Sequence, residues 1–259
     1  MTKKQSNATK QANMQAASER AAAIRAEHER KERRTRLIVV ASVVVAMLLI
    51  VIAVAVALSQ SDTTGESAGT PSGVVDGYSV PMGPGDAPVT VTVYEDFMCP
   101  YCGLFEQVSS EKLKEYADSG DVQVRYHVVS FLDDASTDDY STRAANALAV
   151  VQDTAGAEAA VEFHDALFAN QPAEGGAGIS DEQMIELAVE AGAEEDAIRG
   201  PIEDLAFEQY VINATSEWSE RGFTGTPAVA VNGEKVEFTD AENLLANTEK
   251  AIADALAGD

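Results

Sequence analysis

Apolar and polar positions divide the chain into a polar head, one long apolar segment and a mixed body. Residues 37–58 are 22 residues without a charge, and Ser42 is their one polar side chain. At a helical rise of about 1.5 Å per residue, this segment reaches roughly 33 Å, enough to cross a hydrocarbon core of about 30 Å. The pattern predicts a transmembrane helix. A cleaved secretory signal is the alternative, because the segment ends in a small-residue motif.

The body alternates between strand and helix patterns. Residues 89–94 alternate as a β-strand does, apolar positions at helical spacing follow over 100–118, and 122–131 form a second strand. A run of helices comes next, then a hairpin around Asn232-Gly233 and a last helix that begins with a capping box and ends near residue 256. These predicted elements are helices 138–151, 157–170, 180–191 and 201–221, strands 228–231 and 235–238, and the capping box 239–242.

Charge is distributed unevenly between the parts. Residues 1–36 carry ten Lys and Arg and four Glu, a net charge of +6. Because the whole chain has a net charge of −25, the remaining residues carry −31. Basic residues before an apolar span stay in the cytoplasm, so residues 1–36 are expected there. Residues 59–73, rich in Ser, Thr and Gly, are expected to be a flexible linker, and 74–259 a domain outside the cytoplasm. So acidic a body argues against binding of nucleic acid.

The two cysteines of the chain occur in the motif Cys99-Pro100-Tyr101-Cys102, where the first predicted strand meets its helix. A helix N-terminus offers free N–H groups and partial positive charge, so we expect the pKa of Cys99 to be lowered. Cys102 lies on the same helix face within reach of a disulfide, and Pro100 suits the first helical position. The motif predicts thiol-disulfide exchange, with Cys99 as nucleophile and Cys102 as resolving thiol, without metal or cofactor.

Two other uses of the cysteines remain open. A zinc site would need more ligands, and the exported part adds only His127 and His164 as soft ones. An inert structural disulfide would restrict the unfolded chain little, because it closes so short a loop. We interpret Glu95 and both histidines as surface or structural groups, because nothing near them in the sequence completes a catalytic arrangement.

Two segments resemble those of DsbA-like proteins, over about residues 74–256. The first is the active-site segment, which runs from Gly83-Pro84-Gly85 to Tyr94-Glu95-Asp96-Phe97-Met98-Cys99-Pro100-Tyr101-Cys102. The second is similar to the family's cis-proline loop and reads Gly222-Phe223-Thr224-Gly225-Thr226-Pro227. The resemblance, like the order of elements, implies an α/β thioredoxin fold with an inserted helical subdomain at about 138–221, here preceded by a single transmembrane helix.

The resemblance also implies roles for single residues. Thr226-Pro227 would be a cis peptide bond against the cysteines, and its backbone would pair with an extended substrate segment. An ordinary proline at the start of a strand is the alternative. Asp96, three residues before Cys99, either tunes the thiol or relays a proton to Cys102, or it only caps the helix.

The direction of electron flow is a further expectation. Cys-Pro-Tyr-Cys is also the glutaredoxin motif, but the 125 residues between Cys102 and Pro227 favour the DsbA-like arrangement. Export to an oxidising compartment favours an oxidase acting on reduced exported proteins. The resemblance implies re-oxidation by a quinone-linked membrane protein of DsbB or vitamin K epoxide reductase type. A disulfide isomerase, a reductase, or a non-catalytic substrate-binding or chaperone-like module is the alternative, because the fold does not fix direction.

Overall fold

A mixed five-stranded sheet lies at the centre of residues 69–258, the part of the chain that the computed structural model describes. The strands are β1 (Val80–Met82), β2 (Val89–Glu95), β3 (Val122–Val128), β4 (Ala228–Val231) and β5 (Glu234–Lys235). Their order across the sheet is β1-β3-β2-β4-β5. Strands β2 and β3 run parallel, and the other neighbours run antiparallel.

Strand β2 is the middle strand of this sheet. Its β-branched valines and threonines suit a pleated strand that is covered on both faces, and all its residues but Thr90 are buried. Tyr94 pairs with Ala228, the first residue of β4. The register therefore brings the residues that follow β2 beside those that precede β4, which are the two motifs of the sequence.

Two helices complete the thioredoxin part. Helix α1 (Pro100–Ser119) follows β2, and helix α7 (Ala241–Ala257) ends the described chain. They pack against each other, and α7 also contacts β2 and β4. Helix α1 ends at Gly120, whose φ of 83° lies in the left-handed region that glycine adopts without steric cost.

The predicted helical insertion is present between β3 and β4. After a 3₁₀ turn at Asp133–Ala135 it consists of α2 (Tyr140–Ala155), α3 (Ala157–Ala169), α4 (Asp181–Glu190), α5 (Glu195–Glu203) and α6 (Glu208–Glu220). Helix α2 contacts the other four helices of the insertion. Because it is surrounded in this way, even its polar residues Asn146 and Gln152 are buried.

The sequence prediction of one helix over 201–221 is wrong. Two helices occupy this region, because α5 already begins at Glu195 and a turn separates it from α6. Leu205 in that turn has a φ of 50°, in the left-handed region where a side chain costs about 1–2 kcal/mol. The break is stabilised from outside the helices, since Phe207 donates its backbone N–H to Oδ1 of buried Asn146 at 2.8 Å.

Asn146 offers a test of how this break is held. Its Nδ2 also donates to the carbonyl oxygens of Pro201 (3.4 Å) and Ile202 (3.3 Å). We expect Asn146→Leu to lower the free energy of unfolding by about 2–4 kcal/mol, because each buried polar group left unpaired costs about 1–3 kcal/mol. Denaturant titration measures the loss. Asn170→Leu, at an exposed helix end, is the control, and a loss at Asn146 no larger than there would contradict the assignment.

The predicted hairpin is present, but its second strand is shorter than 235–238. Asn232 and Gly233 have φ values of 50° and 84°, which a type I′ turn requires. Strand β5 ends at Lys235 because the chain then turns to α7, where Asn247 donates its side-chain amide to the Glu237 carbonyl oxygen at 2.7 Å.

The structure differs from the sequence prediction at two other places, the start of helix α7 and the end of strand β3. Asp240 caps helix α7 by accepting the N–H of Asn243, so the predicted capping box at 239–242 is wrong. Strand β3 ends at Val128 rather than at 131, because the following backbone bonds to side chains. Ser130 donates its N–H to Thr215 of α6, and Leu132 donates its N–H to Asp96.

The predicted basic head at 1–36 and transmembrane helix at 37–58 lie outside the described residues, as does most of the linker. Among residues 69–258, no helix combines the length and the apolar character needed to cross a membrane. The end of the predicted linker is bound to the domain, since Ser72 donates its N–H to Asp153 and accepts from Gln152.

Candidate active site

The active-site turn and the loop before β4 meet at the carboxyl end of β2. Cys99 is the N-cap residue of α1, with Pro100 at the first helical position. The Thr226-Pro227 peptide bond is cis, as the resemblance implied. The thiol of Cys99 donates to the Thr226 carbonyl oxygen, with sulfur and oxygen 3.3 Å apart. The fold thus brings together the two motifs that lie 127 residues apart in the chain.

Cys99 is a free thiol that is 4% exposed. Hydrogen bonds lower its pKa from 9.0 to about 6, and the first of them comes from the Cys102 thiol. Burial opposes the shift. The Thr226 side chain and the backbone N–H groups of Tyr101 and Cys102 lower it further. The Thr226 hydroxyl has no partner while Cys99 is a thiol, which leaves it free to donate to the thiolate. The lowered pKa agrees with the sequence expectation, although the helix end is not its main cause.

This pKa predicts when Cys99 reacts. The thiolate is the reactive form, so alkylation of the reduced protein should rise with pH, reach half its maximum near pH 6, and level off above pH 7. Cys102→Ala is the informative variant, because loss of the first hydrogen bond should move the midpoint to higher pH. A midpoint near 9 in the unmodified chain would contradict this site geometry.

Cys102 is suited to a different part of the reaction. It is fully buried, and burial raises its pKa well above 9.0, with the neighbouring charges of Cys99 and Glu95 adding to the effect. Cys102 is therefore a thiol whenever the pair is reduced. This difference in exposure and pKa favours a fixed order of steps. A partner molecule reacts first at Cys99, and Cys102 then resolves the mixed disulfide within the chain.

Asp96 is buried and connects three segments. Its carboxylate accepts the Met98 N–H at 2.8 Å, the Leu132 N–H at 2.8 Å and the Ser141 hydroxyl at 2.6 Å. Burial raises its pKa to about 6 against these bonds, and the charge of Cys99 raises it further. Helix capping is not its role, because the N-cap is Cys99 and no side chain caps α1. Thiol tuning by Asp96 stays a prediction, now with an electrostatic link to Cys99.

The insertion adds a residue that the sequence did not indicate. The side-chain amide of Gln171, just after α3, donates to the carbonyl oxygens of Phe97 (3.0 Å) and Cys99 (2.8 Å). A Cβ on Gly103 would come within 2.2 Å of the Gln171 side chain, so glycine permits this approach. Gln171 therefore fixes the active-site turn from the inserted subdomain.

Glu95 and His164 are not surface groups, contrary to one sequence reading. Both are fully buried, and Nε2 of His164 lies 2.5 Å from Oε1 of Glu95. Burial opposes a charge on His164, but the charge of Glu95, the hydrogen bonds to Asp165 and Glu95 and the charge of Glu106 together outweigh it, and the pKa of His164 rises to about 10. The ligand atoms of Glu95, His164 and buried Glu106 lie within 4.8 Å of one another. Sequence reasoning missed this cluster because its members lie 11 to 69 residues apart.

The sequence left open a zinc site at the cysteines with His127 and His164, and the buried cluster also contains ligand atoms of the kind that metals bind. Two ligands of one tetrahedral zinc ion, each about 2.0–2.1 Å from it, are more than 3 Å apart. Glu95 and His164 are closer than that, because they bond to each other. His127 is also engaged elsewhere, since its Nε2 lies 3.1 Å from the Ala214 carbonyl oxygen, and burial lowers its pKa to about 4. The described contacts favour an ion pair over metal binding at Glu95 and His164.

A groove of about 590 Å³ lies beside the cis-proline. Tyr101, which is 69% exposed, and Leu104 of α1 form one wall. Thr226-Pro227 and Phe238 also line the groove, and the start of α7 adds polar groups. Exposed aromatic and aliphatic side chains next to a reactive thiol suit contact with an extended peptide.

A reactive thiol at a helix N-terminus, a buried partner thiol and a cis-proline on this sheet define a thiol-disulfide oxidoreductase of thioredoxin fold. The family described as thioredoxin matches residues 76–252, and the chain belongs to this family. The resemblance to DsbA-like proteins is likewise confirmed by solved structures. DsbA from Mycobacterium tuberculosis in reduced form is 30% identical, with a TM-score of 0.57, over 70% of this chain and 99% of that one.

Two further relatives set the limits of the comparison. BdbD from Bacillus subtilis, at 22% identity, shares the fold with a TM-score of 0.62 over 74% of this chain and 100% of that one. The serine/threonine-protein kinase PknE of Mycobacterium tuberculosis is 34% identical over 121 residues, which are 45% of this chain and 21% of the kinase. This chain thus spans about a fifth of the curated relatives that it matches.

Proposed function

We propose that this protein is a membrane-anchored dithiol oxidase that introduces disulfides into exported proteins. Cys99 is the sulfur that exchanges with the substrate, and Cys102 closes or opens the enzyme's own disulfide. Thr226-Pro227 binds the substrate backbone, and Asp96 tunes the thiols. The reaction requires no cofactor, because the two cysteines themselves carry the electrons.

The lowered pKa of Cys99 is the observation that favours an oxidase over a reductase. A fall from 9.0 to about 6 corresponds to a preference for the thiolate on the order of 4 kcal/mol. The thiolate exists only in the reduced enzyme, so this preference makes the disulfide a stronger oxidant. Thioredoxin's own cysteine already has a pKa of about 7, so the difference from thioredoxin is about one pKa unit, or roughly 30 mV for two electrons, and it moves the couple from about −270 mV in the direction of the about −120 mV of DsbA.

The groove supports a protein substrate. It is continuous with Thr226-Pro227 and offers exposed Tyr101 and Leu104 to apolar side chains. An extended segment that pairs with the Thr226 backbone would place its own cysteine at Cys99, whose sulfur is 3.3 Å from the Thr226 carbonyl oxygen. Reduced, partly unfolded chains offer such segments, whereas folded proteins do not.

The sequence outside the described residues supports the cellular placement. The apolar segment 37–58 after a basic head is the basis for a single-pass membrane anchor with the catalytic domain outside the cytoplasm. An oxidase in that compartment needs an electron acceptor. A quinone-linked membrane protein of DsbB or vitamin K epoxide reductase type would supply it, and an anchored enzyme would meet this partner in the plane of the membrane.

The reduction potential of the Cys99–Cys102 couple tests the direction. Equilibration of the full chain in glutathione buffers of known ratio should give a potential less negative than the about −270 mV of thioredoxin. The same preparation should oxidise a reduced, disulfide-containing protein faster than glutathione disulfide alone does. A potential near −270 mV would favour a reductase instead, and rearrangement of scrambled disulfides without net oxidation would favour an isomerase.

A further inference from the structure

We propose that Gln171 is a positioning residue for thiol-disulfide exchange, which holds the sulfur of Cys99 in its reactive place from the inserted helical subdomain. The proposal deepens the proposed function and rests on it, because it concerns the sulfur that exchanges with the substrate. Gln171 does not touch the reacting atoms. It acts on them through the backbone of the active-site turn.

The side-chain amide of Gln171 binds the active-site turn at two points. Its nitrogen lies 3.0 Å from the Phe97 carbonyl oxygen and 2.8 Å from the Cys99 carbonyl oxygen. Both partners are acceptors, so only the NH₂ group of the amide satisfies them, and each of its two hydrogens has one acceptor. The contacts lie on either side of Met98, so the backbone is held both before the reactive cysteine and at it.

The carbonyl group that Gln171 binds belongs to the same short stretch that stabilises the thiolate. The Cys99 carbonyl oxygen also accepts the backbone N–H of Cys102 at 3.0 Å, which begins the helix. The backbone N–H groups of Tyr101 and Cys102 and the side chain of Thr226 lower the pKa of Cys99. A shift of this carbonyl group would move the sulfur away from these donors, since both are attached to one residue.

Helix α1 leaves room for the Gln171 side chain at Gly103. A Cβ at this buried position would lie 2.2 Å from Oε1 and 3.0 Å from Cδ of Gln171, so the amide would have to move. Glycine in a helix is less favourable than alanine. The helix thus has a less favourable residue at the one place where a methyl group would displace Gln171.

The inserted subdomain in turn fixes the backbone of Gln171. Its N–H donates to the Phe168 carbonyl oxygen at 3.2 Å, in the turn that ends α3. Pro172 follows, and a residue before proline is restricted to extended backbone conformations. The ring of Phe168 packs on that of Phe97, with centroids 5.0 Å apart. An amide on a backbone held in this way can hold the turn, whereas one on a free loop would only follow it.

The consequence for exchange lies in the thiolate of Cys99. Hydrogen bonds weaken steeply when distance and angle depart from their optimum, so the donors around this sulfur act only while the turn keeps its place. Without Gln171 the turn relaxes and these bonds lengthen. Less thiolate is then present at a given pH, and attack on a disulfide slows because the thiolate is the reactive form.

Gln171→Ala tests the proposal by alkylation of the reduced full chain against pH. The midpoint should rise from near 6 by about one pH unit, which corresponds to the loss of about one hydrogen bond to the thiolate. At pH 6 the variant should therefore be alkylated about fivefold more slowly, since about a tenth of the thiol is ionised instead of half. The reduction potential should become more negative, because the reduced form loses stabilisation.

Asn170→Ala is the matched control, because it removes an amide one residue earlier in the chain. The side chain of Asn170 donates to the Ala166 carbonyl oxygen at 2.9 Å, within α3. Its midpoint should equal that of the unmodified chain. A purely structural role of Gln171 would lower stability in denaturant and leave both midpoint and potential unchanged, and that result would overturn the proposal.

Gly103→Ala provides a second, independent variant, so the test stands even if Gln171→Ala does not fold. The added methyl group displaces the Gln171 side chain, so the midpoint should rise as it does in Gln171→Ala. The double variant should shift no further than Gln171→Ala, because both changes break the same contact. An unchanged midpoint in Gly103→Ala, or additive shifts in the double variant, would overturn the positioning role.

The unmodified chain separates this proposal from the proposed function. If it oxidises a reduced protein while the variants keep its midpoint and potential, only the role of Gln171 is wrong. Failure of the unmodified chain to exchange disulfides at any pH would instead overturn the proposed function.

Discussion

Replacement of Cys99 by serine is expected to reduce thiol-dependent refolding of a reduced protein to the uncatalysed rate. Cys99 is 4% exposed and its thiol donates to Thr226, which lines the groove, whereas Cys102 has no exposed surface. A hydroxyl cannot form the mixed disulfide, and Cys102 is both inaccessible and protonated. Refolding of a disulfide-containing substrate, followed by the recovery of its activity, measures the loss.

Cys102→Ser is the matched variant for this experiment. It keeps the nucleophile but removes the resolving thiol, so mixed disulfides with substrate should accumulate and be visible on non-reducing gels. Trapping by Cys102→Ser together with inactivity of Cys99→Ser would fix the order of the two cysteines. Refolding catalysed by Cys99→Ser at the unmodified rate would contradict the oxidoreductase assignment itself and favour a chaperone-like role.

Replacement of His164 by leucine is expected to lower the free energy of unfolding by about 3–5 kcal/mol at pH 7. The variant leaves the carboxylate of Glu95 in the core without the cation that it bonds at 2.5 Å. Denaturant titration measures the loss. Lys114→Gln is the control, because it breaks the half-exposed pair of Lys114 with Asp165 near the same cluster and should cost about 1 kcal/mol or less.

The pH dependence of this loss of stability shows whether it comes from the broken ion pair or from poor packing of the leucine. The pKa of His164 is raised from 6.5 to about 10, so the folded state holds a proton that the unfolded chain releases above pH 6.5. The stabilisation is therefore fully present below pH 6.5 and is lost as pH rises through about 10. The difference between the two proteins should shrink over this range. A difference that stays constant with pH would show that the leucine merely packs poorly.

Local sequence patterns predicted the parts of the fold that local physics decides. The alternation at 89–94, the proline at the start of α1 and the Asn232-Gly233 turn each specify backbone geometry within a few residues. The predicted single helix over 201–221 failed for the opposite reason. Its break depends on Asn146, more than 50 residues earlier in the chain, which binds the backbone on both sides of the turn.

In the candidate site, too, the sequence predicted the local features and missed the residues that are brought in from distant parts of the chain. Two cysteines three residues apart at a strand-helix junction predict thiol exchange from sequence alone, because spacing and helix position are local properties. The resemblance supplied the cis-proline loop, since only a known fold relates Pro227 to Cys99. Gln171 and Glu106 could not have been found from the sequence, because an amide or a carboxylate in a helical pattern carries no sign of what it will face.

The sequence by itself thus determined that this protein has one reactive dithiol, at the start of a helix, in an acidic body that follows an apolar segment. Tertiary structure decided the chemistry of the two sulfurs. It enclosed Cys102 and raised its pKa, and it set hydrogen bonds around Cys99 that lower the pKa to about 6. It also joined Glu95, Glu106 and His164 in one buried cluster. The physical reason is that desolvation and charge pairing depend on distance in space, which a linear pattern does not contain.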